Sequence, residues 1–484
     1  MTKAVESDIS SRIATAAELL DEIVEDRGLL AAVEQDLLVR FLRAAGEVSR
    51  PAKGDRKKLA RARRRNREVK ERDEDQAVLD QTGIRKLRES PIFETPRWIA
   101  LGAGDDAPSV EEPVIGETKG ERICYVCRAT FSEVHHFYDQ MCPECGDFNY
   151  GKRNQRGDLS GRIALVTGAR VKIGFQAAMM LLRAGSRVIV VTRFPRDAAK
   201  RYAAEPDFEA WRDRLEIYGI DLRHSPSVEA MCRDLNQRLP HLDFVINNAC
   251  QTVRRPSGFY DHLMEAETTR ALPDLEHLVR SVDGIPSALL SQVELLAEDG
   301  RRGDHLFPAG QLDADLQQVD LREVNSWRLK LADVPTIELL EVHLVNAVAP
   351  FIINARLKPL MLRSSTRDKH IVNVSAMEGQ FYRIFKTDRH PHTNMAKASL
   401  NMMTRTSAID YVADGIHMNS VDTGWVTDED PVHHADLKRE IHRFHPPLDI
   451  VDGAARIVDP VFTGINTGEH VWGQFLKDDT PTYW

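Results

Sequence analysis

Apolar residues near the start of the chain recur at helical spacing, first as Leu19, Leu20, Ile23 and Val24, then as Leu29, Leu30, Val33, Leu37, Leu38, Phe41 and Leu42. Positions three and four apart share one helix face, and Gly28 interrupts the run, so two amphipathic helices are predicted. A lone helix pair has no core, and its apolar stripe needs cover from another domain or subunit. A basic stretch follows, from Lys53 through Arg56, Lys57, Lys58, Arg61, Arg63, Arg64, Arg65, Arg67 and Lys70 to Arg72, with no aromatic residue to stack on bases. It can contact nucleic acid through phosphates. The interleaved acids Glu68, Glu71, Asp73, Glu74 and Asp75 favour a solvated helix instead. Residues 102–121 are rich in Gly, Pro and acids and read as a linker. From Arg162 onward, short β-branched runs alternate with helix-like stretches, the pattern of a parallel sheet covered on both faces.

Length and composition narrow this picture. The 484 residues predict two or three domains. An apolar share of 42% and a net charge of −9 describe an ordinary globular protein and select no partner. There is no run of about 18 uncharged apolar residues, and MTKAVESDIS lacks the apolar core of a secretory signal, so a cytoplasmic location without a membrane partner is expected.

Four of the six cysteines form two CxxC pairs, Cys124 with Cys127 and Cys142 with Cys145, fourteen residues apart. Such knuckles bring four thiolates to the corners of a tetrahedron around Zn²⁺. With every corner filled by protein, the metal is structural and no position stays open for chemistry. His135 and His136 lie between the knuckles and could replace one cysteine, although neighbours on a short loop read more readily as surface residues. A zinc-binding module over 122–160 is predicted.

The run Ile163–Val166 reads as a buried strand, followed by Thr167, Gly168, Ala169, Arg170, Val171, Lys172, Ile173 and Gly174 and then by a helix-like FQAAMMLLRAG. Strand, glycine turn and helix in that order set backbone N–H groups and a positive helix end against a pyrophosphate. The second strand ends in Thr192 and Arg193 rather than an acid, which suits a 2′-phosphate and hence NADP(H) over NAD(H), with Arg170 and Arg196 able to assist. Further on come Asp221 and Leu222, the triplet Asn247, Asn248 and Ala249, Asn346 in VNAVAPF, Ser375 in IVNVSAMEG, and Gly424, Val426 and Thr427 in TGWVT. In this order the motifs resemble those of the short-chain dehydrogenase/reductase family over about 161–484. The resemblance implies a doubly wound Rossmann-type α/β fold, here with an N-terminal helical region and a zinc-ribbon-like module. It also implies adenine contact at Asp221 and Leu222, nicotinamide contact at Gly424, Val426 and Thr427, and a cofactor cradle of Thr167, Gly168, Arg170, Lys172, Ile173, Gly174, Asn248 and Ala249. Within the cofactor motifs three positions depart from the family pattern: Lys172 replaces the middle glycine of the turn, where it either crowds the phosphate or contacts it, Cys250 replaces the glycine of NNAG, and Thr423 replaces a proline.

The family's chemistry uses an Asn, a Ser, a Tyr and a Lys, and the resemblance gives Asn346, Ser375 and Lys397 three of those roles. Tyr382 and Lys386 spell YxxxK literally, but only Lys397 opens the long helix-like stretch leading into MNSVDTG. Four residues before Lys397 stands Thr393, a hydroxyl too weakly acidic to replace a phenol. Tyr382, or failing that His392, is expected to fold back and supply the proton, with His390 on the same loop. About 95 residues separate Cys250 from Asn346; this insertion at 251–340 carries helix-like HLVRSV and LLSQVELLAE and is expected to form a lid or an oligomer contact. Arg254 and Arg255 at its start could hold an anionic substrate. Two functions fit: an NADP(H)-dependent oxidoreductase, homo-oligomeric and acting on a small carbonyl or alcohol; or a dinucleotide-binding scaffold that engages protein or nucleic acid through its helices, basic stretch and zinc module.

Overall fold

The computed structural model describes residues 3–96, 114–269, 274–282, 284, 286–300, 305–382, 386–443 and 445–484. The chain divides into two compact units, Met1–Glu74 and Asp75–Trp484. In the first, α1 (Lys3–Glu25) and α2 (Gln35–Ser49) are joined by a 3₁₀ turn that begins where the Asp26 carboxylate accepts a hydrogen bond from the Gly28 N–H. The basic stretch lies on α3 (Lys53–Leu79), where Arg64 pairs with Glu68, Arg67 with Glu71 and Lys70 with Glu74, each one turn on. These exposed pairs satisfy the solvated-helix reading; each contributes only tenths of a kcal/mol.

The second unit opens with α4 (Gly83–Glu89) and an antiparallel pair, β1 (Val114–Ile123) and β2 (Thr130–His135), followed by α5 (Pro143–Arg153). Most of the predicted linker lies outside the described residues, but 114–121 is strand: pairing with β2 overrides its Gly- and acid-rich composition. The rest is β3 (Ile163–Thr167), α6 (Lys172–Arg183), β4 (Arg187–Thr192), α7 (Pro195–Ala203), β5 (Leu215–Gly219), α8 (Ser225–Arg238) and β6 (Phe244–Asn247). The insertion carries α9 (Asp261–Thr268), β7 (Val279–Ser281) and α10 (Ser287–Leu290). Beyond it run α11 (Thr336–His343), α12 (Ala349–Met361), β8 (Lys369–Ser375), α13 (Pro391–Ala413), β9 (Ile416–Asp422), α14 (Val432–His442), α15 (Ile450–Thr467), β10 (Phe475–Lys477) and β11 (Thr480–Thr482).

Among the described residues, nine strands form one sheet in the order β11-β10-β9-β8-β6-β3-β4-β5-β7, parallel except for the hairpin of β10 and β11. Strand order reverses between β3 and β6, and a crevice outside the carboxyl ends of the strands opens at such a point. Val166, Val190, Val372 and Val421 face α6 and α15, while Leu165, Ile189, Val245 and Ile371 face α8 and α12, so both faces are dry. The stretch Thr336–Met361 is long and apolar enough by composition to cross a membrane, yet Ile353, Leu357, Leu360 and Met361 within it are buried against the sheet. The helix expected at HLVRSV is instead a 3₁₀ turn running into β7, because its residues complete the open edge of β5. Of LLSQVELLAE, only Leu289 and Leu290 are helical, at the end of α10.

The cysteine segment packs closely on the rest of the second unit. Arg153 of α5 is buried and ion-paired to Asp449 at 2.5 Å and Asp452 at 2.8 Å, the N-cap and third residue of α15. The Tyr138 hydroxyl donates to Asp452 at 2.6 Å, Lys152 reaches Asp459 at 2.5 Å, and Arg88 of α4 donates to the carbonyls of Pro446 and Leu448. Phe137, Tyr138 and Met141 share one core with Phe462 and Val461.

Candidate functional site

At the carboxyl ends of the strands lies a cleft of about 910 Å³. Its floor is the glycine turn. Gly168 has φ +68°, and a Cβ there would stand 2.7 Å from the Cα of Ala249; at Gly174 it would stand 2.3 Å from Asn248 Nδ2 and 2.4 Å from the Gly168 carbonyl oxygen. Only hydrogen fits either place. Asn248 Nδ2 donates to the carbonyls of Thr167 and Gly168, tying the ends of β6 and β3 together. Thr167 is turned inward, where its hydroxyl accepts from the Ala249 N–H at 3.0 Å; it shapes the floor rather than lining it. Lys172 keeps the left-handed conformation of the glycine it replaces, φ +56°, and its ammonium points to Asp315 of the insertion at 3.8 Å.

Of the other expected cofactor residues, Arg170, Ile173, Arg193, Asp221, Leu222, Ala249, Gly424, Val426 and Thr427 all line the cleft, as does Cys250. Arg170 is held by Asp197 at 2.6 Å, and Arg193 donates to the Tyr260 hydroxyl at 2.6 Å. Burial pushes the Asp221 carboxyl up, but hydrogen bonds from Arg223 and the charges of Arg193 and Arg223 outweigh it and hold it below the usual range. Arg196 does not assist: it turns to Glu276 and the Glu267 carbonyl, away from the cleft. The insertion forms one wall with Arg255, Phe259, Tyr260, Gln317 and Trp327. Arg254 is not an anion clamp. It is buried and fully engaged by Asp299 at 2.7 and 2.8 Å and by Glu341 at 2.7 Å.

At the chemical end, Ser375 closes β8 and Lys397 sits in the second turn of α13; both line the cleft. The Lys397 ammonium donates to the Val374 carbonyl at 2.7 Å, and the buried Ser375 Oγ has no hydrogen-bond partner. Asn346 lies in a π turn, 344–348, between α11 and α12, a deformation often found at functional sites. It accepts from the Gln251 N–H at 2.7 Å and donates back to the Gln251 carbonyl, so it fixes the chain after β6 without lining the cleft.

The residues expected to supply a proton are not brought here. Tyr382 is 54% exposed, with its ring against Tyr483 and outside the cleft lining. His392 is buried at 3.2 Å from Glu338, and Thr393, also buried, has an unpartnered hydroxyl that does not reach the lining. His390 stacks on Trp327 with ring centroids 4.0 Å apart, and the Lys386 ammonium bonds the Glu378 carbonyl. The first turn of α13 packs inward and carries His392 and Thr393 into the protein, while Tyr382 stands at the surface.

Two contributions escaped sequence reasoning. Asp422, the last residue of β9, lines the cleft directly opposite Ser375 in the β8–β9 ladder. An acid ending a strand that must be buried on both faces was the available signal. Ile123, Tyr125, Arg128 and Gln140 of the cysteine segment also line the cleft, and the Tyr125 hydroxyl accepts from the Trp425 N–H at 3.0 Å. No sequence pattern announces that contact.

The four cysteine sulfurs lie within 4.8 Å of one another, with Cys127 and Cys142 at 3.7 Å. A tetrahedral site with bonds of about 2.3 Å has edges of about 3.8 Å, so the donor set fits a four-thiolate metal. His135 is neither a ligand nor a surface residue: it is buried, its Nδ1 accepts from the N–H groups of Phe137 and Tyr138, and its Nε2 faces Asp147. His136 packs edge-on against Tyr150.

Family models match two stretches of the chain, the short chain dehydrogenase model over 162–271 and the enoyl-(acyl carrier protein) reductase model over 324–446. An uncharacterized protein of Acanthamoeba polyphaga mimivirus is 31% identical over 359 residues, covering 70% of this chain and 71% of its own. A fatty acyl-CoA reductase of Acinetobacter baylyi is 26% identical over 170 residues, 33% of this chain and 56% of that enzyme, so the chain spans little more than half of that relative. Among solved structures, an NADPH-bound carbonyl reductase from chicken fatty liver is 17% identical, covers 67% of this chain and 100% of its own, and superposes with a TM-score of 0.42. With the fold, the glycine turn and the ordered motifs in place, the chain belongs to the short-chain dehydrogenase/reductase family.

Proposed function

We propose that this protein is an NADP(H)-dependent oxidoreductase that interconverts a small carbonyl compound and its alcohol. Arg193 carries this reading. It lines the cleft at the end of β4, where such folds meet the adenosine ribose, while Asp221 nearby is engaged by Arg223. A cation there suits a 2′-phosphate, whereas a free acid would suit an unmodified ribose. The N–H groups of the glycine turn and the start of α6 would hold the pyrophosphate, Asp221 and Leu222 the adenine, and Gly424, Val426 and Thr427 the nicotinamide amide. The bound dinucleotide supplies a hydride donor or acceptor.

The remaining work falls to this chain's own groups. The unpartnered Ser375 hydroxyl is free to donate to a substrate oxygen, and Lys397, oriented by the Val374 carbonyl, adds positive charge beside it. Asn346 fixes Gln251 at the edge of the same space. Cys124, Cys127, Cys142 and Cys145 would hold Zn²⁺ as a cross-link with no open position. Exposed Phe351 of α12 and Met402 and Ile409 of α13 support homo-oligomeric assembly, which sedimentation would register as more than one chain per particle.

Calorimetric titration of the zinc-loaded protein with NADPH and NADH tests the reading, followed by a carbonyl panel monitored by NADPH consumption. NADPH is expected to bind the tighter and to be consumed. Binding of neither dinucleotide overturns the proposal.

A further inference from the structure

We propose that Asp422 is the group that exchanges a proton with the substrate oxygen, in place of the phenol that Thr393 has displaced. The assignment rests on the oxidoreductase reading above. It starts from a requirement: a carbonyl that gains a hydride must also gain a proton, from a group beside Ser375 with an atom left over to give. Among the described cleft residues at this end, Asp428 is paired with Lys438 at 2.9 Å, Glu429 accepts from Thr427 at 2.8 Å, the Tyr125 hydroxyl is engaged by the Trp425 N–H at 3.0 Å, and Glu378 sits on the turn after β8 rather than in the ladder beside Ser375. Lys397 is committed to the Val374 carbonyl. Asp422 stands opposite Ser375 across the ladder, is 5% exposed, and keeps one carboxyl oxygen, Oδ2, buried without a partner. An ionised oxygen in that position would be costly, whereas a protonated one is a hydrogen-bond donor awaiting an acceptor.

The surroundings favour the protonated form. Burial, then Glu378 on the turn after β8, raise the Asp422 carboxyl to about 6, against the opposing pull of Arg456 on α15 and Lys477 on β10. Asp478, following Lys477, pushes the same way as Glu378. Tyr125 and Lys397 complete the groups that face this part of the cleft. A group titrating near 6 can both give and take a proton close to neutral pH.

With a reduced dinucleotide bound, a hydride would be supplied to the carbonyl carbon as the π pair moves to oxygen. That oxygen takes the proton of Asp422 Oδ2 and is held by the Ser375 hydroxyl. Asp422 is left as a carboxylate and recovers its proton from solvent. In the alcohol direction the carboxylate accepts the hydroxyl proton as hydride leaves carbon for the oxidised dinucleotide. Electrons and protons balance without another reagent.

The test uses the full zinc-loaded chain. NADPH affinity and kcat for reduction of a panel of aldehydes and ketones are measured from pH 5 to 9 for the wild type, Asp422→Asn, Asp422→Glu and, as controls outside the cleft, Tyr382→Phe and His392→Ala. Asp422→Asn is expected to lose about 10²–10⁴-fold in kcat with NADPH affinity within about threefold, the scale of a contact that binding does not use. The wild-type reductive rate should fall as pH rises through about 6, a limb absent from Asp422→Asn, and Asp422→Glu should restore part of the rate. The two controls should turn over as the wild type does. A wild type that does not bind NADPH overturns the oxidoreductase reading itself; one that binds NADPH but turns over no carbonyl overturns the chemistry and this assignment together. Retained turnover with an unchanged pH limb in Asp422→Asn overturns the assignment alone. Should Asp422→Asn fail to fold, a wild-type profile with no limb near pH 6, or loss of turnover in Tyr382→Phe, overturns it instead.

Discussion

The two ends of the cleft are built on different principles. At the phosphate end the working groups belong to the backbone, and the side chains matter mainly by their absence, as at Gly168 and Gly174, where a single methyl would strike the neighbouring chain. At the other end the groups we propose for the chemistry are side chains delivered by separate strands and helices: Ser375 from β8, Asp422 from β9, Lys397 from α13. Backbone geometry tolerates one exchanged residue, as Lys172 shows by adopting the positive φ of the glycine it replaces. Side-chain chemistry is less forgiving, and the proposed activity needs a proton from a group other than Thr393.

That contrast can be broken experimentally, most severely at the chemical end. Ser375→Ala should lower kcat by about 10²–10³-fold, the range for removing one donor to a developing oxyanion, while leaving dinucleotide affinity unchanged in calorimetry. A comparable loss of affinity would show that the two ends are not separable. Gly174→Ala should do the opposite, weakening dinucleotide binding by about 30-fold, or about 2 kcal/mol, since a Cβ 2.4 Å from a backbone oxygen forces the turn to shift. Arg193→Ala should cut the preference for NADPH over NADH by about tenfold, the worth of one charge-assisted hydrogen bond. Unchanged selectivity would move the 2′-phosphate site elsewhere. The smallest effect should come from Lys172→Gly, which relieves a left-handed lysine and should raise stability to denaturant by about 1 kcal/mol without weakening the dinucleotide.

The same contrast explains what could be read from the chain alone. Strand β3, the glycine turn, α6 and the Asn247–Ala249 segment are contiguous or nearly so, and their spacing states where they meet. So does that of the two cysteine pairs, whose sulfurs lie within 4.8 Å of one another. Tyr382 and His392 were expected at the cleft because a long loop before α13 could fold back, whereas the acid beside Ser375 is set by strand register 47 residues away, at Asp422. Arg254 was misread for a related reason: a charged pair at the mouth of a cleft looks like a clamp until Asp299 and Glu341 arrive from distant segments to neutralise it. The insertion was legible as a cover for the cleft but not in its local structure, since HLVRSV takes its conformation from the edge of β5 rather than from its own periodicity.

The buried ion pairs of Arg153 with Asp449 and Asp452 bear on ancestry. The family models match 162–271 and 324–446, so Arg153 lies before the matched stretches and the two interior carboxylates it neutralises lie after them. A recombination breakpoint between them would leave those carboxylates uncompensated in a dry interior, a defect on the order of 3–5 kcal/mol, and would uncover the core shared by Tyr138 and Phe462. The cysteine segment and α15, one on each side of the matched stretches, are therefore welded into one interior, and an exchange of either alone would leave the other with a buried defect.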